Sequence, residues 1–288
     1  MEKINVDTVE SSIIIPLYNG QRYISQLLDS LSNQETDNGF EVLVSDNGSV
    51  DNSLHIVREF ADKNSNLRII DSTLKKGKNF SINNAVKQTK STKLLFIDQD
   101  DELASNYLEE MSTALNEFSL VAASMDSLKL NRKIKVPPRF APRNQKIGDY
   151  AVKIAAGGSL GVTKDVFEEL GGFDEGFEYS TGDVDFCCRA HDAGYDLQLV
   201  ESTVLYYRFR ESSMENFHQG IFYGKGNRAI ESRFPGIRGP RRTRAQISAS
   251  IVKDSLGMAN VFRLDKQRIA HNLGKNIGYL LEDLGASR

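Results

Sequence analysis

The strongest constraint on this chain lies in its first hundred residues. Four short apolar runs alternate with helical periodicity, and three of them end directly in a polar cluster. Ser12, Ile13, Ile14 and Ile15 read as a buried strand that stops at Pro16. Tyr23, Ile24, Leu27, Leu28 and Leu31 follow at helical spacing. Residues 40–44 form a second strand, ended by the turn-forming run Asp46-Asn47-Gly48-Ser49, with Asp51 or Ser49 placed to cap a helix through Phe60. Residues 67–70 give a third strand, 79–89 a helix, and 93–97 a fourth, strongly apolar strand. Strands joined by helices of this length imply right-handed crossovers and a mostly parallel sheet. Such sheets bind ligands beyond the carboxyl ends of their strands, so Tyr18-Asn19, Asp46-Asn47 and the run from Asp98 to Asp101 are expected along one edge.

Downstream the pattern is less regular. Residues 104–118 read as a helix and 120–123 as a strand. The stretch 129–146 is basic, carries Pro137, Pro138 and Pro142, and is expected to be a mobile loop. Residues 163–170 form a short helix stopped by Gly171-Gly172, and 183–193 another stopped by Gly194. Residues 197–200 and 204–207 look like two strands, and from Ser213 the chain reads as helices broken near Pro235 and Pro240. A length of 288 residues suits an α/β domain over 1–210 with a helical C-terminal extension over 211–288. The formal net charge of -3 gives no push toward nucleic acid. No apolar run approaches the length that crosses a bilayer, and the polar, acidic first ten residues are unlike a signal peptide. Cys187 and Cys188 are adjacent in a predicted helix and fit neither disulfide geometry nor zinc spacing, which suggests a reducing, cytoplasmic location.

Three carboxylates in Asp98-Gln99-Asp100-Asp101 repel one another unless a cation neutralises them. Mg2+ or Mn2+ takes one or two carboxylates and leaves positions for substrate phosphates. A helix cap at Asp101 would account for one aspartate and not for three. Pro16-Leu17-Tyr18-Asn19 is either a strand stop with a helix cap at Asn19 or a nucleoside pocket with an aromatic face. Asp46 is either a turn residue or the acceptor for a uracil or thymine ring N–H. Taken singly, both stay open.

In combination these segments resemble glycosyltransferase family 2, whose members have the GT-A fold. Ile13-Ile14-Ile15-Pro16-Leu17-Tyr18-Asn19, Asp46-Asn47-Gly48-Ser49-Val50-Asp51 and Phe96-Ile97-Asp98-Gln99-Asp100-Asp101 carry the resemblance, in order and at even spacing. It continues through Gly171-Gly172-Phe173-Asp174-Glu175 and Gly182-Asp183-Val184-Asp185-Phe186 to Arg189, and spans about Ser11 to Arg210. The resemblance implies a Rossmann-like, mostly parallel central sheet flanked by helices. It implies an inverting, metal-dependent transfer of sugar from a UDP- or dTDP-sugar to a hydroxyl of a glycan, glycolipid or glycoprotein acceptor. Pro16, Tyr18 and Asn19 would line the nucleoside pocket and Asp46 would read the pyrimidine. Lys78, Asn83 and Gln99 would lie near the donor. Asp100 would be the direct ligand of Mn2+ or Mg2+, with Asp98 a metal or ribose contact. Asp101, Gly158 and Ser159 would face the sugar and acceptor, and Asp183 would be the general base. Many members carry a glutamate just before that aspartate; this chain has Gly182.

Arg208 and Arg210 alternate as if on one strand face, where they would clamp a diphosphate or an anionic acceptor, or stay solvated. Arg238, Arg241, Arg242 and Arg244 form either a solvated linker or a contact with a polyanionic glycan or, peripherally, with anionic lipid on the inner face of a membrane. The C-terminal helices are candidates for homo-oligomer contacts. Gly77-Lys78 lacks the rest of a P-loop, no G-x-G-x-x-G follows the first strand, and Leu17 to Arg22 has too few glycines for a sugar nucleotidyltransferase. The alternative from another class is a non-catalytic nucleotide-sugar or glycan-binding homologue, which Gly182 motivates.

Overall fold

The computed structural model describes residues 9–131, 143–147, 150–177, 180–237, 240–260 and 263–285. The four expected runs form β1 (Ser11–Leu17), β2 (Phe40–Asp46), β3 (Leu67–Asp71) and β4 (Lys93–Phe96). They are joined by α1 (Ile24–Ser32), α2 (Ser53–Ala61) and α3 (Lys78–Val86), and all four strands run parallel. Ile13, Ile14 and Ile15 are all fully buried because both sheet faces are covered. Ile14 packs with Ile82 and Ala85 of α3, while Ile13 and Ile15 pack with Leu27 and Leu28 of α1.

Pro16 does not end β1. The strand continues through it, pairing Pro16 with Ser45. The β1–β4 ladder has already stopped at Ile14, whose carbonyl accepts from Ile97 N–H, and the next bond to β2 is accepted by Leu17. By this alternation the proline nitrogen faces the side where pairing has ended, so the missing N–H costs no ladder bond.

The chain continues with β5 (Glu102–Leu103), α4 (Tyr107–Glu117), β6 (Leu120–Asp126), β7 (Arg143–Ile147), β8 (Tyr150–Ile154), β9 (Leu160–Thr163), α5 (Lys164–Glu169), α6 (Gly182–Asp192) and β10 (Gln198–Tyr206). The main sheet has the order β3-β2-β1-β4-β9-β6-β10-β5, mixed but mostly parallel, with β9 antiparallel to both neighbours. The two strands expected over 197–207 are one strand, irregular between Val200 and Val204. The expected loop 129–146 gives way at Arg143 to an antiparallel pair, β7 with β8; Pro137, Pro138 and Pro142 lie outside the described residues. Gly171 and Gly172, both at positive φ, stop α5 as expected.

The C-terminal extension consists of α7 (Ser213–Arg233), α8 (Arg244–Asn260) and α9 (Arg263–Gly285). A capping box between Ser212 and Glu215 starts α7. Helices α7 and α9 run side by side in the same direction, backbone against backbone. A Cβ on Gly220, Gly224, Gly274 or Gly278 would overlap the carbonyl oxygen of His271, Lys275, Phe217 or Ile221 respectively. Buried Arg228 pairs with Asp283 at 2.7 Å. Arg241 bonds Asp283 at 3.1 Å, Arg242 bonds Asn276 at 2.9 Å and Arg244 bonds the Asp283 carbonyl at 2.5 Å. These three arginines are therefore tied to α9, with Arg241 and Arg244 still exposed; Arg238 lies outside the described residues. No helix among the described residues is long and apolar enough to cross a membrane.

Candidate functional site

The loops after β1, β2, β3 and β4 meet at one edge of the sheet, and polar side chains staple them together. Gln99 accepts from Tyr18 N–H at 2.8 Å and donates to the Tyr18 carbonyl at 3.1 Å. Asn19, left-handed at φ 50°, donates its N–H to Ser49 Oγ at 3.0 Å and accepts from Val50 N–H at 2.9 Å. It does not cap α1, whose N-cap is Tyr23. Asp46 folds its own turn by accepting from Gly48 and Ser49 N–H, each at 3.1 Å. Asn47 reaches the Ser72 and Lys75 carbonyls at 2.5 and 2.8 Å and accepts from Gly77 N–H at 2.8 Å. The Tyr18 ring is 50% exposed, with Lys76 Nζ 5.2 Å from its centre. Pro16 lies in β1 just beneath this edge.

The acidic run is bridged to Asp183 by a short 3-10 turn, Gly157–Ser159. The carboxylates crowd this turn most closely at Gly158. A Cβ on Gly158 would sit 3.1 Å from Asp98 Cγ and 3.3 Å from Asp101 Oδ2, and one on Gly157 would sit 3.4 Å from Asp183 Cβ. Gly157 N–H donates to Asp183 Oδ2 at 3.0 Å, and Val184 N–H donates to Asp183 Oδ1 at 2.9 Å. Lys78, the first residue of α3, pairs with Asp98. Ser159 is buried and its hydroxyl donates to the Ala156 carbonyl at 2.9 Å, so it shapes the turn from inside.

Arg208 and Arg210 do not share a strand face, because β10 ends at Tyr206. Both still reach the acidic run. Arg210 pairs with Asp100 Oδ2 at 3.1 Å. Arg208 donates its N–H to Asp101 Oδ1 at 3.0 Å and its Nε to the Asp100 carbonyl at 2.9 Å, while its guanidinium meets Glu102 and lies 4.4 Å from the centre of the Tyr23 ring. Arg208 is therefore a strut. Asp101 is not a cap either: α4 starts at Tyr107 after Asn106, and Asp101 is buried with Oδ2 lacking any hydrogen-bond partner.

Electrostatics follow from this crowding. Burial pushes the Asp101 carboxyl well above the usual aspartate range, and the charges of Asp100 and Asp98 push it further. Burial also raises Asp100, against the opposing pull of Arg210. Asp183 is raised by burial, with Lys78 and the two backbone N–H groups holding it down. Burial would lower Lys78, but Asp98, with Asp183 and Asp100, outweighs it and the ammonium is held charged.

Among the described residues, no three His, Cys, Asp or Glu side chains gather around one point. Mg2+ or Mn2+ needs only one or two carboxylates when phosphate and water complete its shell. Asp98 and Asp100 offer two carboxylates in one run, paired here with Lys78 and Arg210, and the buried Asp101 Oδ2 beside them has no hydrogen-bond partner.

Gly182 has a steric reason. A Cβ at this position would collide with the Asn79 amide, which donates to the Asp174 and Phe177 carbonyls at 2.8 and 2.9 Å. Asn83, one turn further along α3, donates to the Phe173 carbonyl at 2.8 Å and accepts from Phe173 N–H at 3.0 Å. It holds residues 172–175 and stands outside the acidic cluster. Sequence reasoning passed over Asn79, although its i,i+4 spacing to Asn83 places both on one helix face.

Residues 12–171, more than half of the chain, match the profile of glycosyl transferase family 2. The chain belongs to glycosyl transferase family 2. This family 2 member is 29% identical over 198 residues to glycosyltransferase AglE of Haloferax volcanii, covering 67% of this chain. It spans 65% of that relative's length, and under a fifth of the poly(ribitol-phosphate) transferases it also matches. Its fold is similar to that of Staphylococcus aureus TarS 1-349 in complex with UDP, with TM-score 0.57 and 18% identity over 97% of this chain and 92% of that one. It is also similar to mannosyltransferase PcManGT from Pyrobaculum calidifontis in complex with GDP-Man and Mn2+, with TM-score 0.64 and 15% identity over 97% of this chain and 88% of that one. Identities this low establish the GT-A fold of the family 2 chain and carry no assignment of donor or metal.

Proposed function

We propose that this chain is an inverting, divalent-metal-dependent glycosyltransferase. It moves a sugar from a UDP- or dTDP-sugar to a hydroxyl group during assembly of a glycan, glycolipid or glycoprotein. Residues 1–210 carry the reaction and residues 211–288 form a helical extension. The observation that carries the reading is the convergence of Lys78, Asp98, Asp101 and Asp183 on the backbone of Gly157 and Gly158.

In this reading Tyr18, with Pro16 and Asn19, receives the nucleoside and Asp46 the pyrimidine edge. Asp98 and Asp100 hold Mn2+ or Mg2+, which when bound neutralises the departing diphosphate. Lys78 and Arg210 add positive charge at the same place. Asp183 takes the acceptor hydroxyl proton as that oxygen bonds to the anomeric carbon. The bond to the diphosphate breaks on the opposite face, so the configuration inverts. Burial makes Asp183 a stronger base than a solvated aspartate. The steric origin of Gly182 removes the observation that had favoured a non-catalytic homologue.

A thermal-shift screen of UDP- and dTDP-sugars, with and without Mn2+, tests the donor site, since a ligand of the folded state raises the melting temperature. The expected result is a shift that needs Mn2+ and disappears in Asp100→Ala. An Mn2+-independent shift in wild type would remove the metal role. Asp183→Asn is expected to keep the shift and to lower transfer by about 10²- to 10⁴-fold.

A further inference from the structure

Three contacts join α7 to the segment that carries Asp183. The Ser180 hydroxyl donates to the Phe222 carbonyl at 2.7 Å. Thr181 is buried and left-handed at φ 62°, a conformation that a β-branched residue keeps only where its surroundings over-determine it. It lies against Gly226, where a Cβ would overlap Thr181 Oγ1 and sit 2.7 Å from Ser180 Oγ. Further along α7, Arg233 pairs with the fully buried Asp185 and bonds Asp174 at 2.8 Å. Arg189 holds the other Asp185 oxygen at 2.7 Å and reaches the Leu170 and Gly172 carbonyls. Helix α7 is itself clamped to α9 through glycine contacts and the Arg228–Asp283 pair.

We propose that the α7–α9 pair is a brace that sets the position of Asp183, with Gly226 and Arg233 as its positioning residues. The proposal rests on Asp183 being the base. A side chain at 226 pushes Thr181 away from α7 and tilts the first turn of α6, which carries the Asp183 carboxylate off Gly157 N–H. Loss of the Arg233 guanidinium frees Asp185 from α7 with the same consequence. Asp98 and Lys78 lie on other elements, so the donor side is spared.

The test uses the full chain as wild type, Gly226→Ala, Arg233→Gln, Gly226→Ala with Thr181→Gly, and Asp183→Asn. Arg233 is half-exposed, so its variant is expected to fold even where Gly226→Ala does not. Hydrogen–deuterium exchange is read over residues 180–190 and over 93–101. UDP release from UDP-glucose and UDP-N-acetylglucosamine with Mn2+ gives kcat and donor KM. Both single variants are expected to exchange faster over 180–190 only, and to lose about tenfold or more in kcat with donor KM unchanged. Thr181→Gly, which suits a positive φ and removes the nearer of the two clashing side chains, is expected to restore part of the kcat lost in Gly226→Ala. Unchanged exchange over 180–190, unchanged kcat, or a loss confined to KM would overturn the brace. Wild-type protein that releases no nucleotide from any sugar of the UDP- and dTDP-sugar screen, or Asp183→Asn as active as wild type, would overturn the transferase reading, and the exchange data would still decide whether α7 holds α6.

Discussion

In β1, Ile13, Ile14, Ile15 and Leu17 are fully buried, packed by helices on both faces of the sheet. In α7 the buried residues are Gly220, Gly224, Gly226, Asn227, Arg228 and Ile230, in a helix whose apolar residues are not gathered into a stripe. The first region is held by apolar burial and its polar residues collect where the strands end. The second is held by backbones in contact and by a buried ion pair. The two therefore respond to different substitutions. A lost methyl group should trouble the sheet, and an added one or an orphaned charge should trouble the bundle.

The largest effect is expected from the ion pair. Asp283→Ala leaves the buried Arg228 guanidinium with only Glu231 as a charged partner, beside the Arg242 carbonyl, and also strips Arg241. Breaking a buried pair from one side costs about 3–5 kcal/mol, read as a lower urea midpoint. A loss within error of an exposed ion pair would mean that the bundle does not depend on this contact, and the contrast with the sheet would weaken.

A sharper comparison uses one methyl group in each region. Gly224→Ala drives a Cβ into the Lys275 carbonyl and should cost about 1–3 kcal/mol. Ile14→Val removes one methyl from the sheet core and should cost about 0.5–1.5 kcal/mol. The bundle variant should melt lower than the sheet variant. The reverse order would show that α7 and α9 can part at little cost.

The same contrast explains what the sequence discloses. The parallel half is legible because alternating apolar runs and helical periodicity map directly onto β1 to β4 and their crossovers. The residues at the strand ends are legible as a group because sheet topology brings them to one edge. Their individual partners are not, since a motif does not say that Gln99 is tied to the Tyr18 peptide or that Asn83 faces residues 172–175. Pro16 misleads because a strand stop and a strand whose pairing ends on one side look alike in sequence. The α7–α9 contacts leave no apolar period to read. Their trace is the four-residue spacing of Gly220 with Gly224 and of Gly274 with Gly278, a pattern that brings backbones together in helix pairs.

Helix α6 lies between the two regions, and its aspartate offers a smaller, pH-dependent effect. Protonation of Asp183 removes the base, so kcat should fall on acidification, with its acid limb above the ordinary aspartate range because burial raises the carboxyl. Lys78 holds that carboxyl down. Residual activity in Lys78→Met should therefore show the limb at still higher pH. A limb that stays in place would separate Lys78 from the base and confine it to the Asp98 side.

The smallest effect tests whether the sheet half, like the bundle, keeps a buried charge at a cost. Asp101 is buried beside Asp98 and Asp100, and one of its oxygens has no partner. Asp101→Asn keeps an acceptor for Arg208 N–H and removes one of three crowded charges. Without metal it should raise the melting temperature by about 3 °C at most, near 1 kcal/mol for a chain of this size. The sign of the pH dependence follows from the raised carboxyl. Below its folded-state pKa the native protein holds a proton that the unfolded chain, near the ordinary value, has already released. The penalty is therefore complete above the folded-state pKa and fades as pH falls toward the unfolded one. The gap between variant and wild type should be widest near neutrality and close on acidification. Melting curves from about pH 8 to about pH 5 measure it, and a gap that stays constant would mean that the Asp101 charge is not its source.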